Sequence, residues 1–168
     1  RGTSGCRLVK LAVETDFEYT SRVFGGSTTN SAAYIPVLFG AVNEIYTSEV
    51  DSRFEIVFSR VWATDLDPYV ANQTVNTRLN EVGIHWASQM GAVERNIVHM
   101  LTGMNTGAGG IAYLGVLCPI PGGYGVSGYL GGSFPYPIHN NAPGNWDLVV
   151  VSHEIGHNFN APHTHDVG

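Results

Sequence analysis

An α+β domain is the fold class this sequence predicts: a mixed, twisted sheet with helices packed on it and a last helix carrying histidines. Three observations lead there. β-Leaning apolar segments alternate with stretches of helical period in the order strand, helix, strand, helix, strand. Hydrophobic residues make up 43% and charged residues 13% of the 168 positions, a balance that buries a core and argues against disorder. No internal repeat or low-complexity tract interrupts the chain, so residues 1–168 are expected to form one domain.

Taken in order, Leu8 to Glu14 is apolar and β-leaning and reads as a buried first strand. Asp16 to Gly26 turns polar and ends in Gly25-Gly26. From Asn30 to Asp51 a helix is predicted, because Ala33, Tyr34, Val37, Leu38, Ala41, Ile45 and Tyr46 recur at three- and four-residue steps. Pro36 falls within it, either in the first turn or at a kink. Phe54 to Phe58 and the following Arg60 to Trp62 read as the second strand. Asp65 to Tyr69 marks a loop whose two acids fall short of the oxygen cage calcium needs, so a calcium site is unsupported. Asn72-Gln73-Thr74 matches a glycosylation acceptor. Asn76 to Ala92 predicts a second helix with Leu79, Val82, Trp86 and Met90 on one core-facing stripe.

Asn96 to Thr102 is the third strand, with His99 read as a core or rim residue. Gly103 to Gly110 is a glycine-rich loop without the Lys-Ser/Thr of a phosphate loop. Ile111 to Leu117 and Gly125 to Leu130 are expected as the fourth and fifth strands. Ser133 to Gly144 reads as an irregular loop in which His139 is exposed and not a ligand. The last helix is expected to start near Asn145, a good cap residue, with Asp147 in the first turn where an acid suits the helix dipole. Val149, Val150 and Val151 are poor helix formers, so burial must hold that segment helical.

Charge and composition exclude several classes. The net charge is −6 and the eight Lys and Arg are scattered, which excludes a nucleic-acid binder. No apolar run approaches the ~20 residues of a membrane span. The opening Arg1-Gly2-Thr3-Ser4, without an initiator Met or signal peptide, suggests a processed or trimmed chain. Cys6 and Cys118 either pair as a disulfide, if the protein is exported, or remain two buried thiols.

The chemistry concentrates between His153 and His163. His153 and His157 lie four apart, which on a helix puts both imidazoles on one face, about one turn apart, where they can hold one zinc ion. Glu154, a quarter turn aside, is placed to serve as a base without ligating. Asn160 tolerates a left-handed exit, Pro162 stops the helix, and the turn swings His163 back as a third ligand. Three ligands leave a fourth position open, as in a catalytic zinc site.

These residues resemble the metzincin motif H-E-x-x-H-x-x-G-x-x-H, with Asn160 in the glycine position. Gly110 to Cys118 and Tyr124 to Val126 are similar to the segments that precede this helix in reprolysin-type (adamalysin-like) members, and Val42 to Tyr46 to the first metzincin helix. The resemblance implies a zincin-like catalytic domain of five strands, the fourth being an antiparallel edge beside the cleft. It implies a secreted zinc endopeptidase in which His153, His157 and His163 hold zinc and Glu154 is the general base. An extended protein or peptide substrate would pair with the edge formed by Gly110, Ile111, Ala112, Tyr113, Leu114 and Gly115, where Gly109, Gly110 and Gly115 either admit its backbone or only serve turns. An inhibitory propeptide is a further implied partner, and Cys6 as its zinc-binding thiolate is a third reading of that cysteine.

The sequence departs from the pattern in three places. Asn160 replaces glycine. Thr164 and His165 intervene before Asp166, so His165 competes with His163 as third ligand. Met90, Met100 and Met104 all precede the motif and five residues follow His163, so the methionine turn and C-terminal subdomain of the family are expected to be missing. The alternatives to a protease are a zinc-binding fragment or pseudo-enzyme without turnover, and a zinc hydrolase of non-peptide substrates.

Overall fold

The computed structural model describes residues 7–105, 107–117, 122–138 and 143–166. Cys6, Cys118 and His139 lie outside them, and with them the readings of the cysteines and of that histidine. Five strands, β1 (Arg7–Thr15), β2 (Ser52–Ser59), β3 (Ile97–Leu101), β4 (Gly110–Ala112) and β5 (Tyr124–Ser127), form one sheet in the order β2-β1-β3-β5-β4. The first four in that order run parallel and β4 pairs antiparallel with β5. Helices α1 (Thr28–Glu49), α2 (Val75–Gln89) and α3 (Trp146–Asn158) complete the fold.

Two cores separate the layers. On one face of the sheet, Leu38, Phe39 and Val42 of α1 and Leu148, Val151 and Ile155 of α3 pack on Leu11, Val13, Ile97 and Leu101. On the other, Leu79, Val82 and Trp86 of α2 pack on Ala12, Val98, Met100, Tyr124 and Val126. Each buried Val, Leu, Ile, Phe or Met among them contributes ~1.5–3 kcal/mol by leaving water. This burial holds α3 helical despite Val149 to Val151.

Several expectations change. Tyr34, Leu38, Ala41 and Tyr46 of the predicted α1 stripe are buried, but Ala33 and Val37 face solvent and Ile35, Phe39 and Val42 take their places. Pro36 sits inside α1 on the exposed side, where the carbonyl of Ala32, deprived of its partner, still meets water. Residues 19–23, read as a polar connection, form a short π-helix. β2 ends at Ser59, and just beyond it Arg60 and Trp62 reach the buried Glu14 carboxylate, with Arg60 Nε 3.0 Å and Trp62 Nε1 3.1 Å from Oε1. The fourth strand is three residues long and does not run to Leu117.

Asp147 does more than suit a dipole. It is buried, and its carboxylate accepts hydrogen bonds from the backbone N–H of Gly131 (2.8 Å) and Gly132 (2.9 Å) and from the Tyr34 hydroxyl (2.8 Å). Burial and the neighbouring Asp147 charge push the Tyr34 phenol far up. The start of α3 is thereby tied to α1 and to the chain leaving β5.

Candidate active site

Helix α3 supplies His153, Glu154 and His157, and its end supplies the return to His163. Ala161 N–H donates to Gly156 O (3.0 Å) and Asn160 N–H to His157 O (2.9 Å), the paired bonds of a Schellman exit, with Asn160 left-handed at φ 73°. Asn160 therefore fills the position that favours glycine in the way expected of it.

The turn brings three imidazoles together. His163 Nε2 lies 3.1 Å from Nε2 of His153 and 3.1 Å from Nε2 of His157, and the three nitrogens fall within 4.8 Å of one another. Two nitrogens each ~2.0–2.1 Å from an ion at the tetrahedral angle stand about 3.3 Å apart, so the spacing fits a metal site. His157 Nδ1 lies 2.7 Å from the Ala161 carbonyl, which only accepts. Nδ1 thus carries the proton, and the Nε2 lone pair faces its neighbours. With their lone pairs turned to a common point, the three nitrogens suit a shared cation. Burial, then the nearby His157 and His163, lowers the His153 pKa. His165 stacks on His163, ring centroids 5.1 Å apart, and is not among the three converging side chains.

Glu154 is 4% exposed, and Oε2 has no hydrogen-bond partner among the described residues. Burial pushes its pKa up to about 7. A carboxyl group held near neutrality is suited to accept and return a proton. It lies against the start of β4: a Cβ built on Gly110 would stand 2.6 Å from Glu154 Cγ. A cavity of about 270 Å³ is lined by Gly110, Ile111, Ala112 and Leu114 on the strand side and by Glu154, His157 and His163 on the helix side.

The predicted substrate edge is only partly a strand. Gly128 N–H donates to Gly109 O (2.7 Å) and Tyr113 N–H to Tyr124 O (3.1 Å), so residues 109, 111 and 113 spend their backbone groups on β5. Gly110 and Ala112 are left to present theirs at the open edge. Beyond Tyr113 the chain leaves the sheet and is strapped to α3: Gly115 N–H donates to His157 O (2.9 Å) and Val116 N–H to Asn158 O (3.1 Å). The glycines are taken up by the protein's own side chains. Gly109 lies under Trp146, Gly110 under Glu154 and Gly115 under Asn160.

Sequence reasoning passed over Asn158. It is fully buried, and its Nδ2 donates to the carbonyls of Tyr113 (2.9 Å) and Tyr124 (3.1 Å), binding α3 to the edge. One signal was available: Asn158 is four residues after Glu154, on the same inward face.

A five-stranded mixed sheet with an antiparallel edge beside a helix bearing three convergent histidines is the zincin-like metalloprotease fold. Residues 6–168 match the Reprolysin_5 model of Metallo-peptidase family M12, and the chain belongs to that family. Among solved structures it is similar to metalloproteinase-II from Bacteroides fragilis, with a TM-score of 0.55 and 13% identity over 97% of this chain. The chain spans about half of that structure, 46% of its length, and the likeness is one of fold. No curated protein matches the chain significantly.

Proposed function

We propose that the chain catalyses zinc-dependent endoproteolysis outside the cell, with His153, His157 and His163 as ligands and Glu154 as general base. The observation that carries the reading is the convergence of three imidazole nitrogens beside a buried, partnerless carboxylate oxygen at an open strand edge. Zinc, when bound, supplies Lewis acidity and an acidified water near neutral pH. Glu154 accepts the proton and delivers it to the leaving amine. Gly110 and Ala112 offer N–H and C=O groups to an extended peptide, which pairs as an added strand. No helix among the described residues is long and apolar enough to cross a membrane.

Two measurements test this. Purified protein is expected to hold one equivalent of zinc by elemental analysis and to cleave casein or quenched peptides until a chelator is added. Glu154→Ala should keep the zinc and lose ~10²–10⁴-fold in turnover. Full activity in that variant removes Glu154 from its role, and zinc bound without cleavage by the native protein favours the alternative of a binding module.

A further inference from the structure

Beyond the histidine cluster, the start of α3 carries an aromatic notch that the reaction as described does not use. Trp146 and Tyr129 are 40% and 39% exposed and wall a cavity of about 410 Å³ whose floor is Gly107 to Gly109. Both rings are pinned. Trp146 Nε1 donates to Gly128 O (3.2 Å), and the Tyr129 hydroxyl accepts from Gly107 N–H (3.0 Å). Tyr129 also holds φ 57°, a left-handed backbone that bulky residues rarely adopt. The Trp146 ring lies directly over Gly109, where a Cβ would meet it at 2.7 Å and force it to shift. Exposed aromatic rings held this firmly, over a floor of two glycines and Ala108, form a prepared binding surface.

We infer that this notch is a specificity subsite that takes an aromatic or large apolar side chain of the same extended peptide whose backbone pairs with β4; the inference rests on the proteolytic reading above. Continuity identifies the occupant. Gly109 directly precedes Gly110, the first residue presenting its backbone at the open edge, and Trp146 is seven residues, ~10 Å, before His153 along α3. A peptide strand at ~3.3 Å per residue reaches the notch roughly three residues from the bond opposite Glu154. None of the five lining residues is charged, and the ring faces favour offset or edge contact with another ring.

The test uses quenched extended peptides of alanine background in which one Phe is moved a residue at a time. Wild-type protein should cleave best with Phe at one position about three residues from the cleaved bond, at about tenfold higher kcat/KM than the all-Ala peptide. In Trp146→Ala, and separately in Tyr129→Ala, that ratio should fall below about threefold. The ratio is the readout, so a general loss of activity does not imitate the result. Equal rates at every position, or a ratio that survives both variants, overturns the subsite. If the wild-type protein cleaves no peptide, the proteolytic reading fails separately. Equilibrium binding of the same peptides then decides: a Phe preference lost in both variants supports the notch, and equal affinity overturns it.

Discussion

His99 should make this fold acid-sensitive. It is fully buried in β3, its Nε2 is 2.8 Å from Ser127 Oγ and its ring meets the edge of Phe39. Burial lowers its pKa from 6.5 to about 3. Between those values the unfolded chain binds a proton that the folded chain refuses, so this contribution to stability is whole above pH 6.5 and is lost as pH falls towards 3. Integrating across the two pKa values gives a loss of about 2 kcal/mol from pH 7 to 5 and about 3 kcal/mol by pH 4. Asp16 and Glu154 act in the opposite sense, because burial raises them to about 6 and about 7 and the folded chain takes up their protons first. The total pH profile therefore mixes signs, and the comparison with His99→Gln isolates the histidine. Urea unfolding at pH 7, 6, 5 and 4, with chelator throughout to keep metal release out of the balance, should show the wild type losing about 2 kcal/mol more than the variant between pH 7 and 5. A difference that stays flat within about 0.5 kcal/mol refutes the assignment of a neutral, unprotonatable His99.

Other perturbations have equally direct outcomes. Gly110→Ala places a Cβ 2.6 Å from both Glu154 Cγ and Val126 O, so the side chain or the strand must shift by about 1 Å to reach ordinary contact; kcat should drop ~10²-fold at unchanged zinc content, and activity within threefold of wild type contradicts it. Asp147→Ala strands the N–H groups of Gly131 and Gly132 and the Tyr34 hydroxyl, and should cost about 3–5 kcal/mol in urea unfolding, with Asp147→Asn recovering part of the loss.

The histidine motif was legible in the sequence because it is local. A four-residue helical spacing, a left-handed Asn160 and a stop at Pro162 settle, within eleven residues, where three imidazoles meet. The order of strands and helices was readable for a similar reason, since periodicity reports which face is buried. Only the tertiary structure decided how far each strand runs and which polar groups are spent inside. β2 stops where Arg60 and Trp62 find Glu14, 46 and 48 residues away, and β4 stops where Gly115 and Val116 turn to the end of α3. Gly109 and Gly110 read in sequence either as room for a substrate or as turn residues, whereas α3 lays Trp146 and Glu154 over them. Contacts between residues far apart in the chain depend on how layers pack. No window of neighbouring residues contains that packing.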